Sequence, residues 1–218
     1  MKDIVIINGS PRGNGNCAYL TNQLKIQLPK ALPAEIAQDN IHIVSPVTHD
    51  IGPCIGCEKC LTSKTRPGHC VISDDFNQLI DLLDTASALI WITPLYFGSV
   101  SSQLKAIVDR FQSLWARNYL AGDPKGIAKD RSRPAMAVYV CGHNDPFATQ
   151  GSTGAALLSL KYASNTAGFT LGAAKHKGKG NVIAITGPDS PGDIAQDYYA
   201  APINDVVHMA TDMIWEAK

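Results

Sequence analysis

The chain has 218 residues, of which 45% are hydrophobic, so it can bury one sizeable core and is predicted to form a single domain over residues 1–218. Nineteen Lys and Arg residues balance nineteen Asp and Glu residues, which gives a formal net charge of zero. This balance argues against a nucleic-acid or anionic-membrane partner, because such surfaces usually carry clustered Lys and Arg. The apolar runs are too short for a membrane span or a signal peptide, so the expected location is the cytoplasm.

Short β-branched runs alternate with segments of helical periodicity along the chain. Ile4–Ile7 is a continuous apolar run, which is typical of a strand buried on both faces. The first predicted helix is expected to stop at Pro29, since proline disrupts a helix interior. Phe169–Ala173 and Val182–Thr186 are both candidates for a fifth strand. The other predicted strands are Ile4–Ile7, Ile41–Val44, Ala88–Thr93 and Ala135–Val140, and the predicted helices are Cys17–Leu28, Phe76–Leu83, Ser101–Trp115, Ala155–Ala167 and Pro202–Glu216.

This alternation predicts parallel βαβ units in an open, doubly wound α/β sheet with helices on both faces. Such a sheet binds ligands at the carboxyl ends of its strands, near the point where the strand order reverses. The loops after the strands are therefore where functional residues are expected. Two longer irregular stretches are also predicted, a cysteine-rich loop at 54–70 and a polar excursion at 118–133.

The loop after the first strand, Asn8–Cys17, has the composition of an anion-binding turn. It joins a buried strand to a helix, so backbone N–H groups and the positive helix end are expected in it. Ser10 and Asn16 add neutral donors and Arg12 adds a planar charged fork, which suits a phosphate dianion. The motif Gly13-x-Gly15-x-x-Ala18 also matches a dinucleotide fingerprint, but it starts four residues further from the strand than that fingerprint does. An ordinary Gly-rich turn is the third interpretation.

Four of the six cysteines form a cluster, Cys54-x-x-Cys57-x-x-Cys60 followed by Cys70. In a cytosolic chain, clustered cysteines more often bind metal or carry out redox chemistry than form disulfides. The first three have the spacing of bacterial iron–sulfur runs. A four-cysteine zinc site and unmetallated thiols are the alternatives, and the cysteines alone do not decide between the three.

Two motifs resemble the NADPH-dependent FMN reductases of the flavodoxin-like superfamily, over roughly residues 2–170. They are Gly9-Ser-Pro-Arg-x-x-Gly-Asn and Pro94-x-Tyr96-x-Gly98-Ser99-x-Ser101, the second followed by Leu104-Lys105 and Asp109-Arg110. The resemblance implies a flavodoxin-like sheet of five strands in the order 2-1-3-4-5, non-covalent FMN, and NAD(P)H as co-substrate. The cysteine cluster is similar to that of the iron–sulfur flavoproteins, a subgroup of this family, and this implies a [4Fe–4S] cluster bound by Cys54, Cys57, Cys60 and Cys70.

The resemblance also assigns cofactor contacts to individual residues. At Cys17 the family usually has Thr or Ser, which are stronger donors than a thiol. Tyr96 and Phe97 would stack on the flavin ring or else pack in the core, and His143 would be a proton donor or a polar loop residue. The phosphate contacts would be Ser10, Arg12, Asn14, Asn16 and Cys17, and the ring contacts would be Pro94, Leu95, Tyr96, Phe97, Gly98, Ser99, Cys141, Gly142 and His143. Asp109 and Arg110 are expected to form a structural or interface ion pair.

These expectations predict a flavoprotein oxidoreductase in which FMN carries the chemistry and no catalytic side chain is required. Its partners would be a nicotinamide or protein electron donor and a small-molecule or protein acceptor. A shallow flavin site usually needs a second subunit to cover it, so we expect a homodimer or homotetramer. Its interface would use the Ser101–Trp115 helix and the stretches 54–70 and 118–133. The alternatives are a non-catalytic electron carrier with FMN and [4Fe–4S], and a zinc-stabilised ligand-binding module.

Overall fold

The computed structural model describes residues 3–32, 38–62, 66–141, 152–172, 175–176, 179–180, 182–186 and 196–216. The strands are β1 Ile4–Asn8, β2 Ile41–Val44, β3 Ala88–Tyr96, β4 Ser99–Val100, β5 Arg133–Cys141, β6 Phe169–Leu171, β7 Lys175–His176, β8 Lys179–Gly180 and β9 Val182–Thr186. The α-helices are α1 Asn16–Ala31, α2 Lys59–Thr62, α3 Phe76–Thr85, α4 Ser102–Arg110, α5 Gln112–Leu120, α6 Ser152–Thr166 and α7 Gln196–Glu216, and Gln38–Asn40 is a 3₁₀ turn. None of the described helices is both long and apolar enough to cross a bilayer.

The centre of the fold is a parallel sheet in the order β2-β1-β3-β5-β6. β1 pairs with β2 on one side and with β3 on the other, and β3 pairs with β5. Because β4 is only a two-residue antiparallel strand on β3, this arrangement confirms the predicted order 2-1-3-4-5 of the principal strands. The strand order reverses at β1, so the loop after β1 lies at the switch point of the sheet.

Both candidate segments for the fifth strand occupy the fifth position of the sheet. The first part of β5, Arg133–Ala135, pairs in parallel with β6. Its second part, Ala137–Cys141, pairs in parallel with β9. The intervening β7 and β8 pair only with each other in the sheet topology described. The edge strand is therefore split, and β7 and β8 form a separate antiparallel pair.

Helices cover both faces of the sheet and form two separate apolar cores. On one face, Ile4, Ile6 and Ile90 pack with α1 and α7. On the other face, Val5 and Trp91 pack with α3, α4, α5 and α6. All five residues of β1 are buried, because a strand at the centre of such a sheet has no solvent-facing side.

Several predicted boundaries are wrong. Helix α1 does not stop at Pro29 but contains it, and buried leucines on its core face hold its last turn in place. The strand predicted to end before Pro94 continues to Tyr96. The helix predicted over Ser101–Trp115 is two helices, because the N–H of Phe111 donates to the carbonyl of Val108 and interrupts the α-helical ladder. The cysteine-rich loop contains the short helix α2.

Candidate functional site

The loop after β1 is joined directly to the end of β3 and the start of α4. The N–H of Gly9 donates to the carbonyl of Ile92 at 2.7 Å. The hydroxyl of Ser101, the N-cap of α4, donates to the carbonyl of Gly9 and accepts the N–H of Leu104. A Cβ atom on Gly9 would lie 2.5 Å from Leu104 Cβ. Only glycine allows this close approach, which holds the β1 loop against the start of α4.

The donors of the β1 loop are partly used within the loop itself. The N–H of Ser10 donates to Asn8 Oδ1 at 2.9 Å, and the N–H of Arg12 donates to Ser10 Oγ at 3.1 Å. Since Ser10 Oγ accepts that hydrogen bond, its own proton can be donated to a ligand. The N-cap of α1 is Gly15, which has no side chain to cap the first N–H groups of the helix. These N–H groups, the Ser10 hydroxyl and the Arg12 guanidinium are the donors available to an anion.

The predicted phosphate contacts differ in their exposure. Arg12 and Asn14 are exposed, and Asn16 is half-buried. Cys17 is buried among the apolar residues that pack between α1 and the sheet. Its thiol therefore belongs to the core. Only its backbone N–H, in the first turn of α1, remains as a donor for the predicted phosphate.

The predicted ring contacts form a tight hairpin between β3 and β4. Tyr96 pairs with Ser99, and both turn residues, Phe97 and Gly98, have positive φ angles of 49° and 79°. This left-handed geometry is that of a two-residue hairpin turn. It is strained for a bulky side chain, and such strain concentrates at functional sites. Tyr96 and Phe97 are both exposed, so they do not pack in the core.

The remaining ring contacts are only partly described. Pro94 is buried and Leu95 is half-buried beneath the hairpin. Gly142 and His143 lie outside the described residues, and only the backbone of Cys141 is described, as the last residue of β5.

All four clustered cysteines line one cavity of about 570 Å³. The chain bends sharply around it, since Gly56 and Glu58 have positive φ angles of 65° and 55°. Among the described residues, no three His, Cys, Asp or Glu side chains are close enough together to hold a single metal ion. A zinc site needs all four sulfurs around one point, whereas each thiolate of a [4Fe–4S] cluster binds its own iron. The four cysteines that line the cavity supply the number of thiolates that a [4Fe–4S] cluster requires.

The backbone of the cysteine-rich loop is anchored at both ends. At its start, the N–H groups of Asp50 and Gly52 donate to the carboxylates of Asp75 and Asp74 at 2.8 and 3.1 Å. At its end, the side chain of Asn77 accepts the N–H of Cys70 and donates to its carbonyl, at 2.8 and 2.9 Å. The first turns of α3 therefore fix the positions from which the loop leaves and returns.

Arg110 connects this anchor to the cysteine cavity. Its side chain is 1% exposed and donates to both carboxylate oxygens of Asp74, at 2.6 and 3.0 Å. It also donates to the carbonyl of Gly52 at 3.0 Å, and its guanidinium lies over the ring of Phe76. The predicted pairing of Arg110 with Asp109 is wrong, because Asp109 instead pairs with Lys105. Adjacent residues on a helix point in different directions, so Asp109 faces away from Arg110.

Burial and charge shift the pKa values around the cavity. Burial would raise the pKa of Asp74, but hydrogen bonds from Arg110 and from the backbone of Phe76 and Gly52 outweigh it, so the pKa is lowered. Burial raises the pKa of Cys60, and the charges of the other three cysteines raise it further. The Cys60 thiol is therefore harder to ionise beside the other cysteines, and a positive group in the cavity would favour its thiolate.

The Asp74–Arg110 pair was missed in the sequence, although a signal was present. Leu104, Ile107 and Leu114 define the buried face of the α4–α5 segment. Arg110 lies three positions after Ile107 and four before Leu114, so it lies on that same face. A charged residue at this position needs a buried partner, which the sequence alone does not identify.

A protein-family model and several known proteins match this chain. The family model of NADPH-dependent FMN reductases matches residues 2–153. An iron–sulfur flavoprotein of Methanocaldococcus jannaschii is 32% identical over 172 residues, covering 69% of this chain and 81% of that protein. Another, from Archaeoglobus fulgidus, is 33% identical over 116 residues, about half of each protein, at 53% and 54%.

Solved structures share the fold at low sequence identity. An NADH:FMN oxidoreductase in its apo form superposes with a TM-score of 0.58 at 14% identity, over 99% of this chain and 90% of that one. An FMN-dependent NADH-azoreductase from Bacillus anthracis, solved in complex with FMN, gives a TM-score of 0.57 at 12% identity, over 97% and 98% of the two chains.

Proposed function

The chain belongs to the NADPH-dependent FMN reductase family and is an FMN-dependent oxidoreductase, and we propose that NAD(P)H is its electron donor. We further infer that Cys54, Cys57, Cys60 and Cys70 hold a [4Fe–4S] cluster through which electrons pass to an acceptor. The observation that carries the proposal is the hydrogen bonding of Gly9 to Ile92 and of Ser101 to Gly9, which holds the β1 loop close to β3 and to the start of α4. In this arrangement the β1 loop would bind the phosphate, and the exposed β3–β4 hairpin would offer a surface for the flat ring.

The β1 loop supports the proposed binding of the FMN phosphate. The Ser10 hydroxyl, the Arg12 guanidinium and the uncapped N–H groups of α1 are the donors that would satisfy its oxygens. Asn14 and Asn16 would add side-chain amides. Cys17 would contribute its N–H, because its thiol is buried in the core.

The hairpin after β3 supports the proposed position of the flavin ring. Bound FMN would supply hydride and single-electron chemistry, and the protein would position it and tune it. The exposed rings of Tyr96 and Phe97 offer surfaces for stacking. Backbone N–H groups of Gly98 and Ser99 near the pyrimidine edge of the flavin would stabilise the negative charge of the reduced form. Pro94 and Leu95 would support the hairpin from below, and Cys141, Gly142 and His143 would approach from the end of β5.

The anchored cysteine loop supports the proposed cluster. Nine residues separate Cys60 from Cys70, and the helix α2 and the hydrogen bonds of Asn77 bring both cysteines to one cavity. The relatives named as iron–sulfur flavoproteins point to the same chemistry.

The phosphate assignment is tested by the double variant Ser10→Ala/Arg12→Ala. It removes two donors worth about 1.5–3 kcal/mol each to a charged ligand, so FMN should bind at least about a hundredfold more weakly. Flavin fluorescence during titration of the apoprotein measures the affinity. The matched control is Arg131→Ala/Ser132→Ala, an exposed pair of the same residue types before β5, which should leave FMN affinity unchanged. Equal affinities of the two double variants would contradict the assignment.

The cluster is tested by anaerobic purification, with iron, sulfide and zinc measured per chain. Cys57→Ser should abolish bound iron while FMN remains bound, and Cys17→Ser, outside the cavity, should retain the iron. Iron that is unaltered in Cys57→Ser would refute ligation by this residue. Zinc in place of iron would favour the zinc-stabilised module, and flavin without metal would favour free thiols.

The electron donor is tested by mixing the anaerobic FMN-loaded protein with NADH or NADPH and following the bleaching of the flavin. Bleaching by either nucleotide supports the reductase. Reduction by dithionite but by neither nucleotide would favour the non-catalytic electron carrier. We also propose a homodimer or homotetramer that covers the exposed hairpin, and light scattering of the eluted protein would measure its mass.

A further inference from the structure

Arg110 is a buried cation with one donor left over. Asp74 and Gly52 accept hydrogen bonds from its two terminal nitrogens. Its Nε is also buried, and within the described part of the chain it has no hydrogen-bond partner. Buried N–H groups are rarely left unpaired in folded proteins. The Nε–H of Arg110 is therefore available to an acceptor in the cysteine cavity.

The unused donor belongs to a side chain that lines the cysteine cavity. Among the described residues around that cavity, Arg110 is the only cation, whereas Glu58 and Asp109 are acidic. Asp74 does not line the cavity. The ion pair therefore presents its positive member to the four cysteines and its negative member to the backbone of the loop.

Cys70 lines the same cavity as Arg110. Hydrogen bonds to Asp74 and to the carbonyl of Gly52 hold the guanidinium in place. Cys70 is also the cysteine whose backbone Asn77 holds on both sides. Both partners are thus fixed before any cofactor binds, which is the condition for a preorganised contact.

A fixed positive charge has a defined effect on an iron–sulfur site. Net charge, hydrogen bonds to sulfur and solvent exposure set the reduction potential of such a site. Reduction adds one electron and no proton, so the site becomes more negative by one charge. A cation that is held in place beside the site stabilises the reduced form more than the oxidised form.

We propose that Arg110 is the positioning residue of the cysteine site, where its Nε–H donates to Cys70 Sγ or to a cluster sulfide and raises the reduction potential. This inference rests on the proposed cluster. Asp74 is then the residue that orients Arg110, and it lies behind the guanidinium as seen from the cavity.

The test compares the potential of the reconstituted wild-type protein with that of two variants. Asp74→Asn/Arg110→Gln removes both charges, so that neither is left buried alone, and Arg110→Lys keeps the charge but loses the Nε donor. Each protein is titrated anaerobically with dithionite, and the reduced cluster is followed by electron paramagnetic resonance. We expect at least a tenfold lower ratio of reduced to oxidised cluster in the double variant at a given potential, which is a shift of about 59 mV for one electron. Arg110→Lys should lie between the two.

The matched control is Asp84→Asn/Arg117→Gln, which removes an Arg–Asp pair that does not line the cavity. In this control variant, the ratio of reduced to oxidised cluster at a given potential should change less than twofold. If this ratio changes less than twofold in the Arg110 variants and their iron content is normal, the role of Arg110 is overturned and the proposed cluster is left intact. A wild-type protein that binds no iron overturns both. If the double variant does not fold, the role of Arg110 is judged from Arg110→Lys, by the same twofold limit on the change in the ratio of reduced to oxidised cluster.

Discussion

The buried pair of Asp74 and Arg110 makes the stability of the fold depend on one carboxylate. The side chain of Asp74 is 6% exposed and that of Arg110 is 1% exposed. Asp74 also accepts the N–H groups of Phe76 and Gly52, each at 3.1 Å. We therefore examine Asp74→Asn, which keeps the size of the side chain but replaces one acceptor oxygen with a donor.

The expected cost follows from what the substitution leaves behind. In either orientation the new amide nitrogen would face the guanidinium of Arg110, together with the N–H of Phe76 or of Gly52, so donors would point at each other. Arg110 would remain buried without a counter-charge, and breaking a buried pair in this way costs about 3–5 kcal/mol. That is a large fraction of the roughly 5–15 kcal/mol by which a domain is usually stable.

Urea denaturation of the apoprotein at neutral pH, followed by circular dichroism, measures the free energy of unfolding. The control is Asp109→Asn, which removes an exposed pair with Lys105 and should cost about 0.3–0.5 kcal/mol. Asp74→Asn/Arg110→Gln should recover part of the loss, because it leaves no unpaired charge. A cost for Asp74→Asn no larger than about 1 kcal/mol would show that the pair behaves like a surface ion pair, and the reasoning would fail.

Three further predictions follow from the same geometry. The pKa of Asp74 is lowered in the folded protein. Its contribution to stability should therefore be complete above its unfolded pKa of about 3.9, and it should be lost as the pH falls through the lower folded value. Urea denaturation at a series of pH values should show that the free energy of unfolding falls more steeply in acid for the wild type than for Asp74→Asn. Gly9→Ala should cost about 1–3 kcal/mol through overlap with Leu104 and should weaken FMN binding, whereas Gly13→Ala, 3.3 Å from a flexible Val47 methyl, should cost less; equal melting temperatures would contradict this. Phe97→Asn should stabilise the apoprotein by about 1 kcal/mol, since Asn tolerates a positive φ. The same variant should bind FMN more weakly, and an unchanged affinity would show that Phe97 does not contact the flavin.

The elements that the sequence predicted well are those whose pattern is local. The central strand and the first helix were found because their apolar residues repeat with the period of one buried element. Pairing is not local, and this is why the fifth strand stayed ambiguous. Nothing within Phe169–Ala173 or Val182–Thr186 indicates that each occupies half of the same edge of β5.

The same contrast between local pattern and long-range contact applies to the candidate site. The position of the β1 loop between a buried strand and a helix could be predicted, because strand, turn and helix follow one another within a few residues. The partner of Arg110 could not, because Asp74 lies 36 residues earlier in the chain. The buried position of Cys17 also depends on α7 and the sheet together, so its thiol could not be distinguished from a ligand contact by its place in the motif.

Helix α4 determines how the two halves of the site are spaced. Its N-cap, Ser101, donates to Gly9 in the β1 loop, and its last residue, Arg110, lines the cysteine cavity. A helix of nine residues spans about 14 Å at 1.5 Å per residue. The separation is therefore set by a packed helix, buried at Leu104 and Ile107, rather than by the two loops. Because α4 ends at Arg110 and α5 begins after Phe111, the interruption between the two helices lies next to the residue whose guanidinium lines the cysteine cavity.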